Sequence, residues 1–224
     1  DVRFSNTNYG IASNSGGMLN LTGSGNGLIS KVIPGTGGLT KSGVGTWTLT
    51  NANTYTGSTS INGGKLVLSG SLNHTSSVTI ASGAEMEISG SLAASGNIVN
   101  QGTLVLTGTP QLSAGGTITN NGTIIINSPG YTLPANLVNN GVVYNNVPVA
   151  PTGFAATAGD AQVSLAWNAV SNATSYTVKQ SAFSGGPYTT VATTSSTNRL
   201  ITGLTNGTSY YFVGTAVNSA GESA

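Results

Sequence analysis

The chain has 224 residues, of which 33 are glycine and none is cysteine, and six basic and five acidic side chains give a net charge of +1. Without a basic face it does not suit the phosphates of nucleic acid, so no nucleic-acid partner is expected. Five acids and a single histidine leave little for a metal site or acid–base chemistry, and the lack of cysteine excludes disulfides and thiol nucleophiles. We therefore expect no cofactor and no metal, and the composition argues against an intracellular enzyme.

The apolar residues occur in short β-branched runs such as Thr123–Ile126, with no sustained helical stripe. This pattern predicts an all-β chain. No run approaches the length of a membrane span and no secretory leader opens the chain. We expect a piece of a longer exported protein that does not insert into a membrane.

A glycine precedes each apolar run at a spacing of 18 to 20 residues. The series is Gly27, Gly45, Gly64, Gly83, Gly102, Gly122 and Gly141. A constant period near 19 residues with a strand after each glycine predicts a β-solenoid of about seven coils.

Alternation within each run predicts two inward rows that fill the solenoid. These rows are Trp47, Leu66, Leu104, Ile124 and Val143, and Leu49, Leu68, Leu106 and Ile126. The residues between them form an outward row: Thr48, Val67, Glu87, Val105, Ile125 and Tyr144. In the coil of Gly83 the inward pair is shifted by one residue, to Met86 and Ile88, which predicts a local bulge.

Asparagine stands two residues before several of these glycines, at Asn62, Asn100, Asn120 and Asn139, with Ala81 interrupting the row. We interpret the row as a ladder of side-chain amides at a turn, since asparagine tolerates turn backbone. The alternative is a polar ligand track.

The segment from Lys41 to Gly70, KSGVGTWTLTNANTYTGSTSINGGKLVLSG, closely resembles the autotransporter-associated β-strand repeat. The matching residues are Gly43, Gly45, Thr46, Leu49, Thr50, Asn53, Tyr55, Gly57, Thr59, Gly64, Leu66 and Leu68. The resemblance implies a right-handed parallel β-helix in a secreted or surface-displayed bacterial protein.

Two prolines, Pro148 and Pro151, mark a change of composition after the repeats. Proline ends strand pairing and favours an extended linker, so we expect a repeat domain over 1–146, a linker over 147–151 and a second domain over 152–224. Turn signals every 8 to 12 residues in the last segment are typical of a β-sandwich.

The segment from Pro151 onward resembles a fibronectin type III module. The matching residues are Pro151, Val163, Leu165, Trp167, Ala173, Tyr176, Val178, Leu204, Tyr210, Ala216 and Asn218. The resemblance implies that Trp167 and Tyr176 are core residues and that Tyr210 is a corner tyrosine. It also implies a small hole at Gly214 and an incomplete last strand.

Glu85 and Glu87 lie two apart on one predicted strand and therefore face the same way. They could form a catalytic carboxylate pair, but we favour an ion pair between Glu85 and Lys65 on the adjacent coil. We therefore expect no catalytic residues in this chain.

A nearly uncharged surface rich in amides and hydroxyls, with scattered tyrosines, favours binding of neutral sugars. The candidate ligand-binding residues are Tyr55, Tyr131, Tyr144, Lys65, Glu85 and Glu87. Fibronectin type III modules of bacteria are common beside glycoside hydrolase and lyase domains, so the resemblance implies a non-catalytic carbohydrate-binding module of a secreted polysaccharide-degrading enzyme. Its partners would be an extended plant-type polysaccharide such as xylan and a neighbouring catalytic domain. The alternative is a structural stalk or adhesin segment.

Overall fold

The structure is a computed structural model that describes residues 2–4, as backbone only, and residues 16–224. Every regular element in these residues is a β-strand, so the prediction of an all-β chain is confirmed. None of the described residues belongs to a helix long and apolar enough to cross a membrane. The chain divides into two compact units, Asp1–Asn145 and Asn146–Ala224. We number the strands β1 to β26 in chain order.

The first unit is a parallel β-helix with three sheets, and each complete coil passes from sheet B to sheet A to sheet C. Sheet A contains β1 Val2–Phe4, β3 Gly27–Ile29, β5 Thr46–Leu49, β8 Lys65–Leu68, β11 Glu85–Ile88, β14 Thr103–Thr107, β17 Thr123–Asn127 and β19 Val142–Asn145. Sheet B contains β2 Leu19–Leu21, β4 Leu39–Lys41, β7 Thr59–Ile61, β10 Val78–Ile80, β13 Ile98–Asn100, β16 Ile118–Asn120 and β18 Leu137–Asn139. Sheet C contains β6 Ala52–Asn53, β9 Ser71–Leu72, β12 Ser91–Ala94 and β15 Gln111–Ala114.

The predicted inward rows form the core of the β-helix. Trp47, Leu66, Leu104 and Ile124 pair in register along sheet A and are buried. Sheets B and C close the core from the other sides with Leu39, Ile61, Val78, Ile80, Ile98, Ile118, Leu72, Leu92 and Leu112. Because successive side chains of a strand alternate in direction, the remaining residues of sheet A face outward.

The coil of Gly83 contains no bulge, which corrects that prediction. Strand β11 pairs in register with β8 and β14, and the extra residue lies in the turn before it. There the Ala84 N–H donates to the Ala81 carbonyl at 3.0 Å. Ala84, rather than Gly83, therefore occupies the position directly before the strand.

Gly27 is not the equivalent of Gly45, as the spacing suggested. It pairs with Trp47 in the inward row, and Gly25 stacks under Gly45. A Cβ built on Gly27 would lie 2.5 Å from the Trp47 ring. Gly27 therefore leaves the space that the indole fills.

The asparagine ladder is confirmed for three of its four members. The Asn100 amide donates to Asn120 Oδ1 at 2.7 Å, and the Asn120 amide donates to Asn139 Oδ1 at 2.6 Å. Asn62 is not part of the ladder, because Ile61 occupies that position in its coil. Asn62 is exposed and lies in the turn instead.

Lys41 occupies the same corner position in an earlier coil and is fully buried. Its ammonium donates to the Gly43 carbonyl and, at 3.0 Å, to the Gly63 carbonyl. Burial lowers the pKa of the Lys41 ammonium. Lys41 thus satisfies turn carbonyls inside the β-helix, as the amides of the asparagine ladder do two coils further on.

The second unit is an antiparallel sandwich of a three-stranded and a four-stranded sheet. The first sheet contains β20 Ala155–Gly159, β21 Gln162–Ala166 and β24 Asn198–Thr202. The second contains β22 Ser175–Ser181, β23 Thr189–Thr194, β25 Tyr211–Asn218 and β26 Gly221–Glu222. This arrangement of strands is that of a fibronectin type III fold.

The aromatic residues of the sandwich behave as the resemblance implies. Trp167, just after β21, and Tyr176 are buried, with ring centroids 5.4 Å apart. The Tyr210 hydroxyl accepts the Thr205 N–H at 3.2 Å, which is the expected corner contact. The expected hole at Gly214 is absent, because a Cβ there would lie 2.3 Å from the Phe154 ring. Phe154 fills that space and stacks on Trp167.

Candidate functional site

The outer face of sheet A carries the predicted outward row. Pairing in register aligns seven half-exposed or exposed residues, which we call the outer strip: Leu28, Thr48, Val67, Glu87, Val105, Ile125 and Tyr144. Leu28, which the sequence did not suggest, extends the row by one coil. Neighbouring strands of a sheet lie about 4.8 Å apart, so the strip is a straight, evenly spaced line of side chains.

A second outward row runs beside the strip and is mostly polar. It contains Thr46, Lys65, Glu85, Thr103, Thr123 and Val142. The two rows together give sheet A a face in which aliphatic side chains alternate with hydroxyls and one charged group of three residues. A surface of this kind offers both apolar contact and hydrogen bonds to a chain lying across the strands.

The charged group is centred on Lys65. Its ammonium lies 2.8 Å from Glu85 Oε1 and 2.6 Å from Glu87 Oε2. The predicted pair of Lys65 with Glu85 is confirmed, and the second pair with Glu87 was not predicted. Both carboxylates are therefore tied to one ammonium rather than free to act as a separate acid and base.

The ion pairs alter the titration of Lys65. Partial burial alone would lower the pKa of its ammonium, but hydrogen bonds and charge from Glu85 and Glu87 outweigh that effect and raise the pKa. Such half-exposed pairs contribute less than about 1 kcal/mol each to stability. Their value for the surface is that they hold two carboxylates and one ammonium in fixed positions.

Tyr144 stands at the end of the outer strip on β19. Its side chain is 58% exposed, beside Val142, which is 46% exposed. An exposed tyrosine presents a ring face at little conformational cost and a hydroxyl at its edge. The prediction that Tyr144 is available to a ligand agrees with this exposure.

Tyr55 is not at the surface, which corrects its prediction as a ligand-binding residue. It is fully buried in the β-helix core, and its hydroxyl lies 2.7 Å from Thr59 Oγ1. Thr59 Oγ1 in turn lies 3.0 Å from Thr75 Oγ1, which donates to the Gly57 carbonyl at 2.8 Å. Since the chain of hydroxyls ends on a carbonyl, Tyr55 donates to Thr59 and Thr59 donates to Thr75.

This network explains the repeat motif that contains Tyr55. Asn53 is also buried, and its Oδ1 accepts the Ile33 N–H at 3.1 Å while its amide donates to the carbonyl of Asn51 at 2.9 Å. The asparagine, tyrosine and threonine of the motif therefore satisfy one another and the backbone between coils. Their role is structural.

Replacing Tyr55 with phenylalanine should cost about 1–2 kcal/mol near neutral pH, because Thr59 loses a buried hydrogen-bond donor. Burial also raises the pKa of the Tyr55 hydroxyl far above its usual range. A raised native pKa gives stability that is present below the unfolded-state value, about 10, and is lost as the pH rises through it. The difference between wild type and Tyr55→Phe in urea unfolding should thus shrink between pH 8 and about pH 11.

The matched control is Tyr144→Phe, which removes an exposed hydroxyl and should change the free energy of unfolding by less than about 0.5 kcal/mol. An equal, pH-independent loss in Tyr55→Phe and Tyr144→Phe would contradict the buried network.

Tyr131 lies in the loop after β17 and is half-buried against the β-helix core. Burial raises the pKa of its hydroxyl. The loop and the end of sheet C enclose an open groove. The six predicted residues therefore separate into three places: Lys65, Glu85, Glu87 and Tyr144 on sheet A, Tyr131 at the groove, and Tyr55 in the core.

The segment 39–68 matches the family model described as passenger-associated-transport-repeat, which confirms the resemblance of this part of the β-helix. A curated relative, the poly(3-hydroxybutyrate) depolymerase of Ralstonia pickettii, is 41% identical over 103 residues, covering 44% of this chain and 20% of that protein. The chain thus spans about a fifth of the length of that relative.

Two solved structures are similar to 35–36% of this chain. The Fn3-like protein from Clostridium thermocellum is 46% identical, with a TM-score of 0.33 and 84% of that chain covered. The titin kinase with its flanking domains is 26% identical, with a TM-score of 0.33 and 16% of that chain covered. By its own strand topology, the chain consists of a parallel β-helix with passenger-type repeats and a fibronectin type III-like sandwich.

Proposed function

We propose that the chain is a non-catalytic polymer-binding module of a secreted bacterial enzyme, and that the outer face of sheet A binds an extended plant-type glycan such as xylan. The observation that carries this proposal is the outer strip, a straight line of half-exposed side chains that ends on the exposed ring of Tyr144. Few soluble proteins expose a long mixed apolar line without a ligand or partner for it.

The chemistry of the face suits a neutral sugar chain. Aliphatic side chains such as Val105 and Ile125 can contact the apolar faces of sugar rings. The hydroxyls of Thr46, Thr103 and Thr123 in the second row can bond to ring hydroxyls. The regular step of about 4.8 Å between strands repeats these contacts along an extended polymer.

The charged group adds hydrogen-bonding capacity without net attraction for an anion. Lys65 is offset by Glu85 and Glu87, which leaves the local formal charge at −1. A carboxylate can accept hydrogen bonds from two sugar hydroxyls in a fixed position. This balance favours a neutral polysaccharide over an acidic one.

The comparisons support an exported context for the module. Residues 39–68 resemble a repeat of exported passenger segments, and the curated relative is a polymer depolymerase. We infer that the chain is secreted or displayed at a bacterial cell surface. A catalytic domain elsewhere in the full-length protein would then be its partner.

Affinity electrophoresis of the intact chain, in gels that contain xylan, mannan, glucan, pectin or alginate, tests the proposal. We expect retardation in one of the neutral polysaccharides, and a dissociation constant at least about tenfold weaker for Tyr144→Ala, the loss of about 1.4 kcal/mol of ring contact. The control is Tyr211→Ala, a 38% exposed tyrosine on the sandwich, which should leave the retardation unchanged. Unretarded migration in every gel would contradict glycan binding and favour a stalk or adhesin segment.

A second candidate ligand is a polyester, because the outer strip contains four aliphatic residues and the curated relative is named for poly(3-hydroxybutyrate). Co-sedimentation with poly(3-hydroxybutyrate) granules distinguishes the two ligands. Binding to the granules that Tyr144→Ala weakens, together with no retardation in the glycan gels, would replace the glycan with the polyester on the same face.

A further inference from the structure

Sheet C ends one coil earlier than sheets A and B. Its last strand is β15, and the next coil passes over it as a loop of residues 128–136 without a strand. The loop is attached at both ends: Ser128 Oγ donates to the Gly108 carbonyl at 2.7 Å, and the Asn136 amide donates to the carbonyls of Ala114 and Gly116 at 3.1 and 2.8 Å. Between these attachments the loop stands away from β15.

The space between loop and strand is an open groove of about 480 Å³. It is lined by Pro110, Gln111 and Leu112 on the side of sheet C and by residues 130–135 of the loop. The volume is within the usual range of small-ligand sites, about 300–1,000 Å³. None of the lining residues carries a charge.

The edge of β15 turns peptide groups into this groove. In a parallel sheet, alternate residues bond to opposite neighbours. The N–H groups of Gln111 and Gly115 donate to β12 and the turn before it, at 2.9 Å each, so the N–H and carbonyl of Leu112 face the next coil. There, among the described residues, no strand pairs with β15.

A peptide added as a strand would need the whole outer edge of β15. The Ala114 carbonyl on that edge is already bonded to Asn136, which leaves a length of one or two residues. The groove therefore suits a short ligand with its own hydrogen-bonding groups better than an extended peptide.

The side chains around the Leu112 peptide complete such a site. Gln111 is exposed and brings an amide to the rim, with the Thr132 hydroxyl across the groove. Tyr131 packs on the core with part of its surface in the groove, so its ring is held in place before any ligand arrives. A fixed aromatic face, amides and hydroxyls without charge are the groups that recognise a neutral sugar ring.

We infer that this groove binds one or two rings at the end of a neutral glycan chain, with the Tyr131 ring against the sugar and Gln111 and the Leu112 peptide group bonded to its hydroxyls. This inference rests on the proposed function, since it assumes that a glycan is the ligand of the chain. It adds a second place, separate from the outer strip, that reads the end of the chain rather than its length.

The test is a titration of the intact, ¹⁵N-labelled chain with xylotriose, cellotriose and mannotriose at millimolar concentration, followed by amide chemical shifts. We expect one trisaccharide to shift the amides of Leu112, Tyr131 and Thr132. Gln111→Ala and Tyr131→Ala should each weaken binding at least about tenfold. Tyr131→Phe keeps the ring and the fold, and should bind within about threefold of wild type.

The matched controls are Gln101→Ala, an exposed glutamine in the turn before β14, and Tyr211→Ala, neither of which should alter the titration. No shift at these amides with any of the three sugars, or equal binding by Gln111→Ala and Gln101→Ala, would overturn the inference. Gel retardation by polymers depends on Tyr144, so failure of the outer strip and failure of the groove are observed separately.

Discussion

Replacing Gly122 with alanine should destabilise the β-helix by about 3 kcal/mol, the upper part of the range for overpacked positions. Gly122 lies directly before β17, and a Cβ there would be 2.2 Å from the Gly102 carbonyl oxygen of the coil below. The atom in the way belongs to the backbone and cannot rotate aside. The two coils would have to separate locally, which breaks the Gly122 N–H bond to the Asn100 carbonyl, 3.1 Å long in the native chain.

Calorimetry of the intact chain measures this effect, and the transition of the sandwich, which has its own core, serves as an internal reference. The matched control is Gly25→Ala at the equivalent turn position, where no described atom lies within 4 Å of the added Cβ. That change should be neutral or stabilise by up to about 1 kcal/mol through the unfolded chain. Equal effects of the two substitutions would show that coil stacking does not require glycine at Gly122.

Enlarging Gly27 should produce a loss of similar size for a different reason. Gly27→Leu places a side chain in the space of the Trp47 indole, whose nearest ring atoms are 2.5–2.6 Å from the position of the added Cβ. We expect a cost of about 3 kcal/mol from overpacking. Trp47→Leu alone should cost about 3 kcal/mol, because it empties part of the buried row.

The double variant, Gly27→Leu with Trp47→Leu, should be more stable than the sum of the single changes predicts, by at least about 1 kcal/mol. The two leucines would restore a row of ordinary width above Leu66. Free energies from urea unfolding of all four chains give this coupling. Additive losses would mean that Gly27 does not serve to accommodate Trp47.

These two glycines show what keeps the outer face straight. Backbone groups at the turns stack directly on one another, and the wide indole is taken up inside by a residue without a side chain. Neither adjustment reaches the outward side chains, so the outer strip stays in register along sheet A. A flat, regular face is the feature that the proposed polymer binding needs.

The errors in the sequence interpretation have a common origin in the turns between sheets B and A. Two residues separate Asn100 from β14 and Asn120 from β17, but three separate Ile61 from β8 and four separate Ile80 from β11. Counting back from each glycine therefore reaches the ladder position in some coils and misses it at Asn62. The overall period hides the difference, because other turns of the coil compensate.

The candidate site was predictable where it lies on strands and unpredictable where it lies on loops. Alternation along β8 and β11 was sufficient to place Lys65, Glu85 and Glu87 on one face, and it placed Tyr144 in the same outward row. Tyr55 and Tyr131 lie outside the strands, where no period states which side chains turn inward. One proved to be a core residue and the other a wall of the groove.

By itself, the sequence determined the all-β class, the coil of about 19 residues, the inward and outward rows and the second, sandwich-forming segment. Each of these follows from local rules: alternation along a strand, a repeated glycine and the turn-forming residues between runs. Only the tertiary structure decided that Tyr55 and Lys41 are buried, that Gly27 makes room for Trp47 and that sheet C ends early beside Tyr131. Those outcomes depend on which coil lies above and below each residue, and contacts between coils about 20 residues apart are set by the lengths of every intervening turn.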